Sequence, residues 1–195
     1  MRTALITVGG VLLGLVLVAA VALGYARASG LESRSTPGPI ETTVSRMTRR
    51  AAVPTGVRPQ RNPVAPTPEA LAEGMSHFAD HCASCHANDG SGNTELGRGF
   101  YPKAPDMRLA ATQDLTDGEL FWVIENGIRF TGMPAWSTGT KAGEESSWRL
   151  VQFIRHLPAL TPTELEAMKQ LNPRSPEAIR QEIEEDRFLT EGAQR

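Results

Sequence analysis

The sequence predicts an all-α protein: three to four main helices, an apolar helix before them and a helical extension after them. Three observations predict it. Apolar residues recur at helical spacing in several stretches. Helix-start signals open most of these stretches. No run reads as a substantial sheet.

The elements follow in chain order. Thr3 to Ala26 carries no charge and is mostly apolar. As a helix it would extend about 36 Å, enough to cross a hydrocarbon core of ~30 Å. Residues 1–27 therefore read as a transmembrane anchor or signal-anchor. Ala26-Arg27-Ala28 also has the form of a cleavage site, so a removed signal peptide is the competing reading. Residues 28–66 hold prolines at 37, 39, 54, 59, 63 and 66 and read as a flexible linker.

The central domain is expected over 67–160. Thr67-Pro68-Glu69 supplies an N-cap and a proline at the first helical position, followed by Leu71, Met75, Phe78 and Cys82 at helical spacing. Thr116-Asp117-Gly118-Glu119 is a capping box before the stripe Leu120, Val123, Ile124 and Ile128. Leu150, Val151, Phe153, Ile154 and Leu157 form a third stripe, which stops at Pro158. Residues 161–195 form the extension. It opens with the capping box Thr161-Pro162-Thr163-Glu164, and Ser175-Pro176-Glu177 starts a second helix reaching about Leu189. That second helix, with its thin apolar face of Ile179, Ile183 and Phe188 or Leu189, reads as a weakly docked surface helix, with packing on the domain or a partner helix as alternatives.

Cys82-Ala83-Ser84-Cys85-His86 contains both cysteines of the chain. Cys-x-x-Cys-His is the attachment site of c-type haem. Two thiols at this spacing reach the two vinyl groups of one porphyrin, and the next histidine is held beneath the iron. One motif implies one covalently attached haem. Zinc would need a further ligand pair that the chain lacks, even with His77 and His81 counted. A thioredoxin-like pair would need a preceding strand. A structural disulfide is the remaining alternative.

Gly132-Met133-Pro134 lies 47 positions beyond His86. Iron held by histidine and a methionine thioether is an electron-transfer iron, because the soft sulfur favours the reduced metal. Glycine and proline on either side keep this methionine off a helix. His86 and Met133 are the expected axial ligands. Met107, also in a loop, is the competitor for the sixth position, whereas Met75 and Met168 read as core.

These residues together resemble the class I cytochrome c family, over about Thr67 to Leu157. Gly74 and Phe78 on the first helix, and Leu150 and Phe153 on the last, match the family's crossing helices. Glu119 to Ile128 resembles its middle helix, and Thr131-Gly132-Met133-Pro134-Ala135-Trp136 its methionine loop. The resemblance implies a cytochrome c fold and a proline carbonyl that accepts a hydrogen bond from the ligating histidine. Pro102 and Pro105 are both candidates. Trp122, Trp136 and Trp148 read as core, with contact to the porphyrin or a propionate as the alternative. A domain of about ninety residues is small for an all-protein core, so the haem-free domain is expected to fold poorly.

The resemblance also sets location and role. Haem is attached outside the cytoplasmic membrane, which places the domain in the periplasm of a Gram-negative bacterium on a single-pass anchor. Arg27, Arg34, Arg46, Arg49 and Arg50 follow the apolar segment and only Arg2 precedes it, the reverse of the usual charge bias. The chain reads as a one-electron carrier of a respiratory or other periplasmic chain, with no catalytic residues assigned. The alternative is a haem subunit bound stably in a larger oxidoreductase complex. A gas- or peroxide-binding sensor would need a distal acid–base group, and none is evident.

Residues 1–65 hold eight Arg and two acids, and residues 66–195 hold twelve basic and twenty acidic residues. The balance is +6 and −8, which reproduces the overall −2. An acidic domain of this kind suits redox partners with a basic docking surface and gives no support to nucleic-acid binding.

Overall fold

The computed structural model describes residues 2–30, 32–173 and 180–181. Every regular element among them is helical: α1 (Arg2–Ser29), α2 (Pro39–Ala52), α3 (Pro68–His77), α4 (Ala83–His86), α5 (Glu95–Gly99), α6 (Ala110–Gln113), α7 (Asp117–Asn126), α8 (Lys141–His156) and α9 (Pro162–Leu171). The all-α class is as expected. The helix expected from Ser175 to about Leu189 lies outside the described residues, apart from Arg180 and Gln181.

The capping signals in the sequence form. Thr67 Oγ1 accepts the Ala70 N–H at 3.1 Å. Thr116 and Glu119 make a reciprocal capping box at α7, as Thr161 and Glu164 do at α9. Each such cap contributes on the order of 1 kcal/mol to its helix.

The core lies where α3 crosses α8. Phe78, Leu150, Val151, Phe153, Leu157 and Met168 are fully buried. The Phe78 and Phe153 rings meet at 5.1 Å. Gly74 makes the close crossing possible: a Cβ there would overlap the Arg149 carbonyl oxygen and lie 2.9 Å from its carbon. α7 adds Leu120 and Ile124, and Phe121 stacks on Trp148 at 4.1 Å with planes 5° apart.

Two polar clamps fix the loops around this core. The Arg155 guanidinium binds Asp117 at 2.9 Å, the Gln113 carbonyl at 2.6 Å and the Leu115 carbonyl, tying α8 to the start of α7. The Gln113 amide donates to the Met107 carbonyl at 2.7 Å and the Ile154 carbonyl at 2.9 Å.

Residues 39–66 are not the loose linker that their prolines suggest. Residues 39–52 form α2, and Val53 beyond it is buried. The rest borrows partners from the domain: Asn62 donates to the Trp148 carbonyl at 2.7 Å, Gln152 donates to the Val64 carbonyl at 2.7 Å, and Arg58 pairs with Glu119 at 3.3 Å. Gly118 lets α7 press on the Val57 carbonyl. Residues 53–66, which have no apolar stripe of their own, are thus ordered by side chains of an existing core.

The start of the extension is likewise part of the domain. Met168 of α9 is fully buried, and Asn172 donates to the Ala79 carbonyl at 2.9 Å. Glu164 accepts from His156 at 2.8 Å. Burial acts to raise the Glu164 pKa, but hydrogen bonds from Thr161 and His156 outweigh it and hold it below the usual carboxylate value. Stability from this group is therefore present above the unfolded pKa near ~4.3 and is lost as pH falls through the lower folded value. Glu164→Gln should flatten that acid slope in denaturant titrations of the holoprotein. An unchanged slope would assign it to other carboxylates.

None of the described side chains of α1 joins the core, and Ile6–Ala28 is long and apolar enough to cross a membrane.

Candidate haem site

Cys82 ends a π-helical turn, and Cys85 lies in the short helix that follows it. Phe78–Cys82 is a π-helical turn joining α3 to α4. The wider turn accommodates an extra residue, so Phe78 and Ala79 stay in the core while Cys82 and Cys85 are only partly covered. Both thiols are free. Burial, then the neighbouring Cys85, pushes the Cys82 thiol up to about 12. It is therefore protonated at neutral pH.

The chain closes around the end of α4 immediately after His86. Ala87 has φ 60°, an uncommon conformation for a residue with a Cβ. The orphan carbonyls of the helix end are then taken up by the loop. The Cys85 carbonyl accepts from Thr94 Oγ1 at 3.1 Å, and the His86 carbonyl from the Gly92 N–H at 2.8 Å. Gly97 of α5 sits against the Cys85 carbonyl where a side chain could not fit.

Gly92 also bears on the two prolines. A Cβ at Gly92 would overlap the Ala104 carbonyl oxygen and lie 3.1 Å from the Pro105 carbonyl oxygen. Its absence lets residues 104–105 run beside the haem motif. Burial lowers the His86 pKa, while the Pro105 carbonyl acts to raise it. His86 Nδ1 is nevertheless buried without a fully formed hydrogen bond, so the carbonyl faces the ring in less than ideal geometry. Pro102, exposed and following a cis peptide bond, has no such relation to His86.

The methionine loop folds back on α7. Gly127, with φ 66°, ends the helix, and a Cβ there would meet the Met133 carbonyl oxygen at 2.7 Å. The Ile128 N–H donates to that same oxygen at 3.1 Å, and the Met133 N–H donates to Thr131 Oγ1 at 3.1 Å. The Trp136 N–H returns to the Ile124 carbonyl at 3.0 Å.

Two ring contacts join this loop to the Cys-x-x-Cys-His side. Trp136 meets His81, the residue before Cys82, edge-on at 5.4 Å. Gly132 lies against the Phe100 ring, where a Cβ would come within 2.6 Å. Phe100 directly follows α5, which packs on Cys85 through Gly97. The sequence placed Trp136 in the loop but gave no signal that His81 would be its contact. Met107 is buried in the core and bonded through its N–H to the Gly90 carbonyl at 2.8 Å. Met133 is half-buried. Trp148 is core, while Trp122 is half-buried.

The donor set fits a c-type haem. It comprises two unpaired thiols at the required spacing, a largely buried imidazole with an unsatisfied nitrogen, and a thioether on a loop fastened to the same side. Among the described residues no three His, Cys, Asp or Glu gather as a metal site. The family model described as cytochrome C oxidase, cbb3-type, subunit III matches residues 69–154. This domain belongs to the class I c-type cytochromes. Membership implies covalently bound haem c and a role in electron transfer. The match covers α3 through most of α8, less than half of the 195 residues, and leaves out α1, α2 and α9.

Proposed function

We propose that this cytochrome is a one-electron carrier with a single haem, held through thioethers at Cys82 and Cys85 and ligated by His86 and Met133. The observation that carries the reading is the fastening of the Met133 loop to the Cys-x-x-Cys-His side by the Trp136–His81 and Gly132–Phe100 contacts. When bound, the haem supplies reversible one-electron exchange at iron. The chain's task is to keep both ligands in place in either oxidation state. Pro105 orients the His86 ring through its carbonyl, and the Thr131 and Ile128 hydrogen bonds hold the Met133 backbone.

In this reading α1 anchors the chain in the cytoplasmic membrane and the haem domain faces the periplasm. The acidic domain meets a partner with a basic surface. Redox titration should give one transition of one electron, with a low-spin spectrum in both states. A high-spin ferrous state that binds carbon monoxide readily would overturn His/Met ligation.

The description of the matched family favours a second reading, a haem c subunit of a larger oxidase. Mild detergent extraction separates the two. A stable complex retains the chain through size exclusion, whereas a carrier elutes alone.

A further inference from the structure

α2 carries an apolar stripe that none of the described residues covers. Ile40, Val44 and Met47 are 81%, 56% and 67% exposed. Their spacing places them on one side of the helix. The domain touches the opposite side, where Arg49 donates to the Ala111 carbonyl at 3.2 Å. Arg46 and Arg50, both exposed, lie together along one side of the stripe.

We infer that α2 lies in the headgroup boundary of an anionic lipid bilayer, with Ile40, Val44 and Met47 among the acyl chains and Arg46 and Arg50 against lipid phosphates. The inference rests on α1 as a membrane anchor. Residues 30–38 join α1 to α2 and can span at most about 30 Å, so α2 cannot leave the neighbourhood of the surface. Charge selects the same occupant. The first 65 residues carry +6 while residues 66–195 carry −8, so an anionic surface attracts the α2 region and repels the haem domain. An apolar stripe with arginines along its side is the pattern of a helix lying in the interface plane. The haem domain then rides at a fixed height above the bilayer instead of swinging on a loose tether.

The full-length holoprotein in phosphatidylglycerol–phosphatidylcholine vesicles, treated with a lipid-partitioning carbene photolabel and digested with trypsin, tests this. The Thr3–Arg27 peptide reports α1, Ser35–Arg46 reports α2, and Ala142–Arg149 gives the aqueous background. Label is expected on the first two and not on the third. Val44→Glu should reduce label on Ser35–Arg46 severalfold with the haem spectrum unchanged. Pure phosphatidylcholine should lower the docked-to-free ratio of α2 roughly thirtyfold, at about fivefold for each exposed arginine. Label on Thr3–Arg27 with none on Ser35–Arg46 overturns the inference and leaves the anchor standing. Label on neither overturns the anchor and the inference with it. Label on Ser35–Arg46 that is indifferent to lipid charge overturns the assignment to anionic lipid.

Discussion

Met133→Ala should leave haem attached but change its iron: the methionine–iron charge-transfer absorption disappears, the potential falls, and the ferrous protein binds carbon monoxide. Axial ligands set haem potentials over a range of ~0.8 V, and a soft thioether stabilises the reduced state. Its replacement by water or a nitrogen donor should therefore lower the potential by a sizeable part of that range. The protein should still fold, because Met133 is half-buried and its loop is held by backbone bonds and by Trp136 rather than by the methionine side chain. Met107→Leu is the control. Met107 is core, so its loss should touch stability by less than about 1.5 kcal/mol and leave the spectrum alone. If Met107→Leu removed the absorption and Met133→Ala did not, the ligand assignment would reverse.

Gly74→Ala has the largest expected effect on stability for the smallest change. Two terms oppose each other. Alanine in a helix is favoured over glycine by about 1 kcal/mol. Against this, the new methyl meets the backbone of Arg149, which cannot rotate away, and the Phe153 Cβ at 3.2 Å. Overpacking of this kind costs typically 1–3 kcal/mol, and a backbone obstacle puts it at or above the upper end. The net should be a destabilisation of about 2 kcal/mol, or a fall in Tm of roughly 10 °C for a domain this size. Gly99→Ala, with open space around its Cβ, should be neutral or mildly stabilising. Equal effects at both positions would mean that helix propensity, not the α3–α8 crossing, governs the first.

The legible parts of this fold are those where one local rule acts without competition. Thr116 with Glu119, and Thr161 with Glu164, announce helix starts because their hydrogen bonds close within four residues. Gly74, Phe78 and Phe153 could be paired across the chain only through the resemblance to the class I cytochrome c family, whose crossing helices they match. α2 was masked by its own prolines. Pro39 is the first residue of the helix and Pro54 lies beyond its end, so they frame the helix rather than break it. The spacing of Ile40, Val44 and Met47 was the overlooked signal. The π-helical turn at Phe78–Cys82 leaves no local signature, because the same residues read equally well as α-helix. Pro105 could not be chosen over Pro102 from sequence, since the choice depends on Gly92 letting a distant strand of backbone approach. The contact of His81 with Trp136 is of the same kind: two residues 55 positions apart brought together by tertiary packing.

The most direct measurement is the intact mass and denatured absorption spectrum of the chain purified from a host that matures c-type cytochromes. The expected mass is that of the polypeptide plus one porphyrin-iron, stable to acid and organic extraction, with the added mass mapping to the peptide containing Cys82 and Cys85. Replacing both cysteines with serine should abolish it. A mature chain of bare polypeptide mass, or one whose haem extracts freely, would contradict covalent haem attachment at Cys82 and Cys85.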